Sequence, residues 1–245
     1  MLNHNPDRFA EDGYCLYPNV FDPVEVESNQ RLMTEAIERD QLDNANYFSE
    51  PHTRDERWLA ICRHPQLLDT VQSVLGPNLI LIYSSVFIKP PGSIETVPWH
   101  QDNSYWPSIQ GTDVATVWLA IDDTDRENAA MRVIPGSHTG HRESATLPSG
   151  SHEMLSRKIS VQPEMEASAV SLEMEAGSVS IHDSYLMHSS ESNLSGRRRA
   201  GYTMRYCNSE TVKVDVEKHP NSIYLVRGEA GKQGERYTDL RPNGT

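Results

Sequence analysis

Short stretches rich in β-branched and aromatic residues dominate the chain from Leu79 onward, and they constrain its fold more than any other feature. Four of them read "LILIYSSVFIKP", "VATVWLAIDD", "SAVSLEMEAGSVSIHDSYLMH" and "RAGYTMRYCN", and turn-rich segments such as "PGSIETVP" separate them. Many short strands joined by turns are typical of a jelly roll or a related β barrel. The sequence therefore predicts a mainly β core over residues 79–207.

The first 78 residues follow a mostly helical pattern instead. The segment "PDRFAEDGYCLYPNVFDPVEVESNQRLMTEAIERD" predicts a short helix, a strand around Tyr14 to Tyr17, and a second helix with Asp22 as its N-cap. The segment "HPQLLDTVQSVLGPN" predicts a further helix that stops at Gly76. We therefore expect helices to flank the β core.

The segment after about Asn208 is polar and weakly patterned, which predicts a tail that is wrapped on the surface or partly mobile. No linker separates the helical part of the chain from the predicted strands. We therefore expect one domain over residues 1–245, with helical N-terminal support at 1–78 and a C-terminal extension at 208–245.

Composition limits the partners that such a chain would bind. The 22 basic and 35 acidic residues give a net charge of −13, which disfavours binding to nucleic acid. Cys15, Cys62 and Cys207 are widely spaced and odd in number, which favours free thiols in a reducing compartment. The sequence shows neither a secretory signal nor an apolar run long enough for a membrane span. We expect a soluble, cytoplasmic protein, and the oligomeric state stays open.

The decapeptide "VPWHQDNSYW" places His100 and Asp102 two residues apart, a spacing that suits two metal ligands. A third ligand could be His182 or His188, both in "SVSIHDSYLMHSS". Their separation is even, so on one regular strand both would face the same side, and spacing alone does not choose between them.

Two imidazoles and one carboxylate form a donor set that suits Fe(II) and leaves coordination positions open, although Zn(II) or Mn(II) could bind the same residues. Arg199 follows His188 by eleven residues and leads into the apolar strand "RAGYTMRYCN". A buried guanidinium needs an anion, and its planar fork matches a carboxylate. The site would therefore accept a dicarboxylate such as 2-oxoglutarate, while Arg197 and Arg198 read as a solvated turn.

The chain resembles the phytanoyl-CoA dioxygenase family of Fe(II)- and 2-oxoglutarate-dependent oxygenases. The similar segments occur in order over most of the chain: "FAEDGYCLYPNVF", "FIKPPGS", "WHQD", "VWLAIDD", "ENAAMRVIPGSH", "HSSESNLSGRRR" and "YLVRG". The resemblance implies a double-stranded β-helix, which is a cupin-like jelly-roll barrel, with flanking helices.

The resemblance also implies a role for individual residues. His100, Asp102 and His188 match the metal ligands, and Arg199 matches the residue that holds the distal carboxylate of 2-oxoglutarate. The 2-oxoglutarate site would also be lined by Trp118 and Ser190. His182 would then support the site or pack near it, and Lys89 in the "KPP" element is left out of the site.

The implied function is hydroxylation of an aliphatic C–H bond of a small-molecule metabolite. Fe(II) would be the metal cofactor, 2-oxoglutarate and O₂ would be consumed, and succinate and CO₂ would be released. Related halogenases have a small residue in place of the carboxylate, so Asp102 favours hydroxylation. The segment "ENAAM" departs from the family pattern, in which Gly often follows "EN", and this departure could alter the shape of the substrate pocket.

Two other classes of protein could use the same metal ligands. A cupin-like Zn or Mn isomerase or hydrolase needs the three ligands but has no use for Arg199, and a non-catalytic metal-binding barrel would bind metal without turnover. The sequence also leaves four roles open. Trp99, Tyr105 and Trp106 could form an apolar wall of the substrate pocket or pack under the barrel rim, and Arg132 could meet an anionic substrate or a surface carboxylate. Gln101 should point away from the ligands.

Overall fold

The structure, a computed structural model, describes residues 3–39 and 47–242. Within these ranges the α-helices are α1 (Phe9–Asp12), α2 (Pro23–Arg39), α3 (Glu56–Cys62), α4 (Pro65–Leu75) and α5 (Pro163–Ala167). The strands of the described residues are β1 (Tyr14–Tyr17), β2 (Tyr47–Ser49), β3 (Leu79–Lys89), β4 (Val97–His100), β5 (Ile109–Gln110), β6 (Val114–Ala120), β7 (Arg132–Val133), β8 (Thr146–Pro148), β9 (Arg157–Ile159), β10 (Val170–Ser171), β11 (Val179–Asp183), β12 (His188–Ser190), β13 (Arg199–Asn208), β14 (Lys213–Val214), β15 (Tyr224–Arg227) and β16 (Thr238–Asp239). The predicted mainly β fold with flanking helices is confirmed.

Two sheets of the described chain carry the architecture. The main sheet has the strand order β1-β11-β6-β13-β3-β15-β16, and β2 also pairs with β3. The second sheet has the order β10-β7-β12-β4. The two sheets share a buried cluster in which Leu16 and Trp118 of the main sheet meet Met131, Val133 and Leu186. Burial of these apolar side chains holds the two sheets together.

Strand β13 contacts the helices on one face of the main sheet and carries two arginines on the other. Its outward side chains reach the helices, because Tyr206 Oη donates to the carbonyl oxygen of Cys62 at 2.8 Å and the Tyr202 ring lies 4.8 Å from that of Trp58. Side chains alternate along a strand, so Arg199 and Arg205 share the opposite, inward face. The helices therefore cover one face of the sheet while the other face remains available for a site.

The local signals at the helix ends act as predicted. Asp22 Oδ1 accepts hydrogen bonds from the backbone N–H groups of Val24 and Glu25. A carboxylate oxygen of Glu25 in turn accepts a hydrogen bond from the backbone N–H of Asp22. This reciprocal arrangement is a capping box, which satisfies N–H groups that the helix itself leaves free. Helix α4 ends at Leu75, and its C-cap is Gly76, which has a φ of +82°.

The prediction of a polar surface tail after Asn208 is wrong for its central part. Strand β15 pairs with β3 in the main sheet, with Leu225 opposite Ile80. Ile223 and Tyr237 are also buried in the same apolar cluster. The sequence pattern missed this strand because it has only four residues, and its partner lies far away in the chain.

All three cysteines are buried free thiols, as predicted. No helix in the ranges 3–39 and 47–242 combines the length and the apolar character that crossing a bilayer requires.

Buried His52 makes the stability of the metal-free protein depend on pH. Its Nδ1 lies 2.6 Å from the hydroxyl of Ser84, and burial lowers its pKa from 6.5 to about 4. Between these two values the unfolded chain binds a proton that the folded protein excludes. Stability is therefore full above pH 6.5 and falls as the pH drops toward 4.

We expect His52 alone to lower the free energy of unfolding by about 2 kcal/mol between pH 7 and pH 5. Urea unfolding of metal-free protein at both pH values measures this loss. His52→Gln should reduce it by that amount, whereas a variant of the exposed His152, His152→Gln, should leave it unchanged. Equal losses in wild type and His52→Gln would contradict the assignment.

Candidate metal centre

Pairing of two neighbouring strands brings two histidines together. His100 ends β4 and His188 begins β12, and the two residues lie directly opposite one another in the antiparallel register. Their ring centroids are 3.9 Å apart. Asp102 begins the 3₁₀ helix Asp102–Tyr105, which follows β4. The second sheet and the 3₁₀ helix that follows its strand β4 therefore supply these three side chains.

The three side chains present their donor atoms to one another. One ligand atom from each of His100, Asp102 and His188 lies within 4.8 Å of the others, and all three residues are buried. His100 Nδ1 donates to the Pro98 carbonyl at 2.8 Å, and His188 Nδ1 donates to the Leu186 carbonyl at 2.9 Å. These bonds fix the tautomer and leave both Nε2 atoms free to bind a metal.

The main sheet forms a floor under Asp102. Thr116 on β6 lies opposite both His182 on β11 and Arg205 on β13, so the three side chains form a row across the sheet. Thr116 Oγ1 donates to Asp102 Oδ2. Asp102 Oδ2 also lies 3.6 Å from His182 Nε2 and 4.0 Å from Arg205 Nε. The other oxygen, Oδ1, faces the Nε2 atoms of His100 and His188 at 3.6 and 3.8 Å. Asp102 can therefore offer Oδ1 to a metal while the main sheet holds Oδ2.

The surroundings set the protonation states that a metal requires. Burial opposes ionisation of Asp102, but the imidazoles of His100 and His182 and the charge of Arg205 outweigh it and hold the pKa of Asp102 well below its usual value. Burial, followed by the neighbouring imidazoles, lowers the pKa of His188 well below 6.5. At neutral pH the site therefore offers an anionic carboxylate and a neutral imidazole, the forms that bind divalent metals.

His182 lies beside the donor group without joining it. Its ring centroid is 4.4 Å from that of His188, and neither ring nitrogen has a hydrogen-bond partner among the described residues. The assumption that the two histidines share one regular strand was wrong, because β11 belongs to the main sheet and β12 to the second sheet. The chain crosses between the sheets after Asp183, so strand parity carries no information about these two residues.

A buried guanidinium faces the same cavity as the donor group. Arg199 is only 2% exposed, one of its terminal nitrogens donates to Ser190 Oγ at 3.0 Å, and its guanidinium carbon lies 5.6 Å from the centre of the Trp118 ring. Its Nε has no hydrogen-bond partner in the described part of the chain. Burial lowers the pKa of Arg199 to about 10. A buried cation with a free donor is costly unless an anion binds to it.

Every site residue that the sequence proposed lines one inner cavity. It is lined by His100, Asp102, Trp118, His188, Ser190 and Arg199. Met131 of the unusual "ENAAM" segment also lines this cavity, and Ala129 in the same segment has a φ of +71°, a conformation that usually favours glycine.

Lys89 lies next to Arg199 but bonds to the backbone. Its Nζ donates to the carbonyl oxygens of Ser190 and Glu191, which ties β3 to the end of β12. Burial and then the charge of Arg199 lower the pKa of Lys89 to about 6. Lys89 therefore ties the strands together through the backbone, and Arg199 is the cation that lines this end of the cavity.

A larger outer cavity opens onto the donor group at His100 and Asp102. Its walls include five aromatic side chains, Tyr47, Tyr83, Phe87, Tyr105 and Trp106. Of the three aromatic residues around the His-x-Asp pair, Tyr105 and Trp106 thus line a cavity. Trp99 does not line either of these two cavities. It lies under the guanidinium of Arg132 at 5.3 Å and donates to Glu166 at 3.2 Å.

Arg132 and Gln101 both make structural contacts. Arg132 pairs with the surface carboxylates of Glu191 and Glu166, which answers the alternative left open for it. Gln101 Nε2 donates to the carbonyl oxygen of Tyr185 at 2.7 Å, and its Oε1 accepts from the N–H of Ser144 at 2.9 Å. Gln101 therefore points away from the donor atoms and holds two loops together, as predicted.

Sequence reasoning did not single out Thr116 or Arg205. Arg205 carried a detectable signal, since it is a charged residue inside the otherwise uncharged stretch "AGYTMRYC" and lies six residues after Arg199. Thr116 carried none, because a threonine in a strand is ordinary.

Two histidines and a carboxylate with open coordination positions are the donor set typical of mononuclear non-haem Fe(II) oxygenases. The chain belongs to one family of such proteins. The family model described as "Phytanoyl-CoA dioxygenase (PhyH)" matches residues 9–201.

Individual relatives agree with this family. The peroxisomal phytanoyl-CoA dioxygenase of Bos taurus is 28% identical over 168 residues, which cover 66% of this chain and 50% of the relative. L-proline trans-4-hydroxylase of Streptomyces griseoviridis is 27% identical over 227 residues, which cover 81% of this chain and 84% of the relative. The solved structure of the apo non-heme monooxygenase ThoJ superposes with a TM-score of 0.78 at 28% identity, over 98% of this chain and 88% of that one. The chain spans about half the length of the phytanoyl-CoA dioxygenases that it matches.

Metal binding should distinguish His188 from His182. Loss of a residue that only contacts a ligand costs about 10- to 100-fold in metal affinity. We expect His182→Ala to stay within that range and His188→Ala to exceed it, because His188 offers a donor atom. Titration of the metal-free variants with Zn(II) by calorimetry measures both affinities. A larger loss in His182→Ala would exchange the two roles.

Gly201 makes room for Trp118. A Cβ atom at position 201 would lie 2.1 Å from Cζ2 of Trp118. We expect Gly201→Ala to displace the indole and to destabilise the protein by about 1–3 kcal/mol. Gly196→Ala is the matched control, since a Cβ there meets nothing within 4 Å. Near-ultraviolet circular dichroism and urea unfolding should change in the first variant only, and an unchanged spectrum of Gly201→Ala would contradict this packing.

Proposed function

We propose that this protein is a non-haem Fe(II)- and 2-oxoglutarate-dependent dioxygenase that hydroxylates an aliphatic C–H bond of a small-molecule metabolite. One C–H bond, one O₂ and one 2-oxoglutarate would yield an alcohol, succinate and CO₂. The observation that carries the proposal is the buried guanidinium of Arg199, whose Nε is unpaired within the described chain and which lines the same cavity as the His-Asp-His group.

The proposal includes the finer form of the fold. The two facing sheets would be the halves of a double-stranded β-helix, a cupin-like jelly roll, and residues 1–245 would form a single catalytic domain. Packing of Leu16 and Trp118 against Met131 and Val133 between the sheets supports this arrangement.

His100, Asp102 and His188 would hold the iron through two Nε2 atoms and Oδ1. Bound there, Fe(II) supplies the activation of O₂ coupled to decarboxylation of 2-oxoglutarate, which protein side chains cannot perform. Thr116 would fix the orientation of the Asp102 carboxylate through its hydrogen bond to Oδ2, and His182 Nε2 lies 3.6 Å from the same oxygen. Because that carboxylate occupies a ligand position, a halide has no place at the metal, and hydroxylation is favoured.

Arg199 and Ser190 would bind the distal carboxylate of 2-oxoglutarate. Arg199 already donates to the Ser190 hydroxyl, so the two groups are placed to receive one anion. The Trp118 ring, 5.6 Å from the guanidinium carbon, would shield this end of the cavity from water. Exclusion of water strengthens the ion pair between Arg199 and the carboxylate.

Small molecules are the substrates that the names of the relatives indicate, as in L-proline trans-4-hydroxylase and ectoine dioxygenase. A cupin-like isomerase or hydrolase could use the same metal ligands but leaves Arg199 without an anion. A non-catalytic barrel would bind metal and 2-oxoglutarate without consuming them. The unpaired guanidinium favours the oxygenase over the first alternative, and turnover separates it from the second.

The test is anaerobic addition of Fe(II) and then 2-oxoglutarate to the metal-free protein. We expect a visible metal-to-ligand charge-transfer band, followed by succinate release when O₂ is admitted. Arg199→Gln should weaken 2-oxoglutarate binding on the order of 100-fold, because it removes a charge-assisted pair, and should leave Fe(II) binding intact.

The control is Arg197→Gln, since Arg197 is exposed and pairs with Asp125 outside the cavity. A folded, iron-loaded wild type without the band would refute the proposed function. Loss of iron in Arg199→Gln with unchanged 2-oxoglutarate affinity would refute the role given to Arg199. Binding of both without succinate release would support the non-catalytic barrel.

A further inference from the structure

Arg205 is a second buried guanidinium on the inward face of β13. It is 6% exposed and lines both the inner and the outer cavity. Arg199 lines the inner cavity but not the outer one. Six residues separate the two arginines, which places their Cα atoms roughly 20 Å apart along the strand. Arg199 and Arg205 therefore serve different ends of the site.

The guanidinium of Arg205 is anchored on one side only. One terminal nitrogen donates to the hydroxyls of Ser85 and Thr203, while Nε has no hydrogen bond within the described residues. Asp102 Oδ2 is 4.0 Å from Nε, beyond hydrogen-bond distance, and already accepts from Thr116. An arginine has five N–H donors, so donors remain for a ligand.

Aromatic rings hold this guanidinium at the outer cavity. Its central carbon lies 5.3 Å from the centre of the Tyr83 ring and 5.9 Å from that of Trp106. The hydroxyls of Tyr47 and Tyr83 bond to each other at 2.6 Å, and that of Tyr105 donates to a backbone carbonyl. These hydroxyls are occupied, so the walls offer mainly ring faces to a ligand.

The other ionisable groups of the outer cavity already have hydrogen-bond or ion-pair partners. His219 uses both ring nitrogens, with Ser108 and with the carbonyl of Ile82. Lys218 is largely exposed and pairs with Asp215. Asp102 is the one carboxylate among the described residues that line this cavity. A substrate ammonium group would therefore have to compete with the metal for the negative charge of Asp102.

The charge of the loaded site also requires an anion. The two charges of Fe(II) and those of Arg199 and Arg205 exceed the three negative charges of Asp102 and 2-oxoglutarate by one. A substrate carboxylate at Arg205 restores neutrality in a water-poor site, where an uncompensated charge is costly. A thioester of coenzyme A has no carboxylate at its acyl end and would leave Arg205 unpaired.

We propose that the substrate is a small free carboxylic acid with an apolar ring, whose carboxylate pairs with Arg205 and whose ring lies against Tyr105 and Trp106. This inference rests on the proposed function. It makes Arg205 the residue that selects acids over amides, amines and thioesters.

The experiment uses four probes that share one ring and chain: 3-phenylpropionate, 3-phenylpropionamide, 3-phenylpropylamine and 3-phenylpropionyl-coenzyme A. Each is titrated by calorimetry into Zn(II)-loaded protein saturated with 2-oxoglutarate. Each is also titrated into the anaerobic Fe(II) and 2-oxoglutarate complex, where substrate binding shifts the charge-transfer band. We expect the acid to bind at least about tenfold more tightly than the other three.

Arg205→Gln should abolish this preference, weakening acid binding about 10- to 100-fold and leaving amide binding unchanged. Its 2-oxoglutarate affinity should change less than about threefold. Arg205→Lys should retain part of the preference, and Arg227→Gln, at a partly exposed arginine that pairs with Asp69 and lines neither cavity, is the control. The wild-type ratio of acid to amide affinity tests the proposal even where an Arg205 variant does not fold.

Four results would overturn the proposal: equal binding of acid and amide, tighter binding of the thioester, no binding of the acid to protein that binds 2-oxoglutarate, or loss of 2-oxoglutarate binding in Arg205→Gln. The last result would assign Arg205 to the co-substrate. Absence of the 2-oxoglutarate band in wild type is a different outcome, since it refutes the proposed function itself.

Discussion

The buried carboxylate of Asp102 is the constraint on which the rest of the site depends. It lies two residues beyond the end of β4 of the second sheet, and Thr116, His182 and Arg205 of the main sheet face it. A buried charge without partners costs several kcal/mol, so the two sheets must meet in this register for the carboxylate to stay ionised. One oxygen is then held by the main sheet and the other faces two imidazoles. The geometry of the donor group is thus a consequence of how the sheets pack.

Strand β13 connects this site to the helical layer. Its outward tyrosines, Tyr202 and Tyr206, contact α3, and its inward face carries Arg199 and Arg205. Gly201 between the arginines leaves space for the Trp118 ring. Because strand side chains alternate, ten residues anchor the helices and line both cavities at once. In the proposed enzyme one end of this strand binds the co-substrate and the other selects the substrate.

Local signals predicted local structure well, and they failed where a strand finds a distant partner. The Asp22 cap and the stop at Gly76 are satisfied within a few residues, so the sequence shows them directly. Strand β15 is only four residues long and is stabilised by β3, whose residues lie far away in the chain. His182 and His188 are close in sequence, yet they lie in different sheets because the chain crosses over between them.

The sequence by itself determined the kinds of group available: a His-x-Asp pair, a later histidine, an arginine eleven residues on, and a mainly β core. Residue chemistry and side-chain alternation are local properties, so they can be read without a structure. Only the tertiary structure showed that His188 groups with His100 and Asp102 while His182 lies in the other sheet, that Arg205 lines the outer cavity, and that Trp99 lies under Arg132 outside the two cavities. Those facts depend on which strands become neighbours, and strand pairing is set by contacts between residues far apart in the chain.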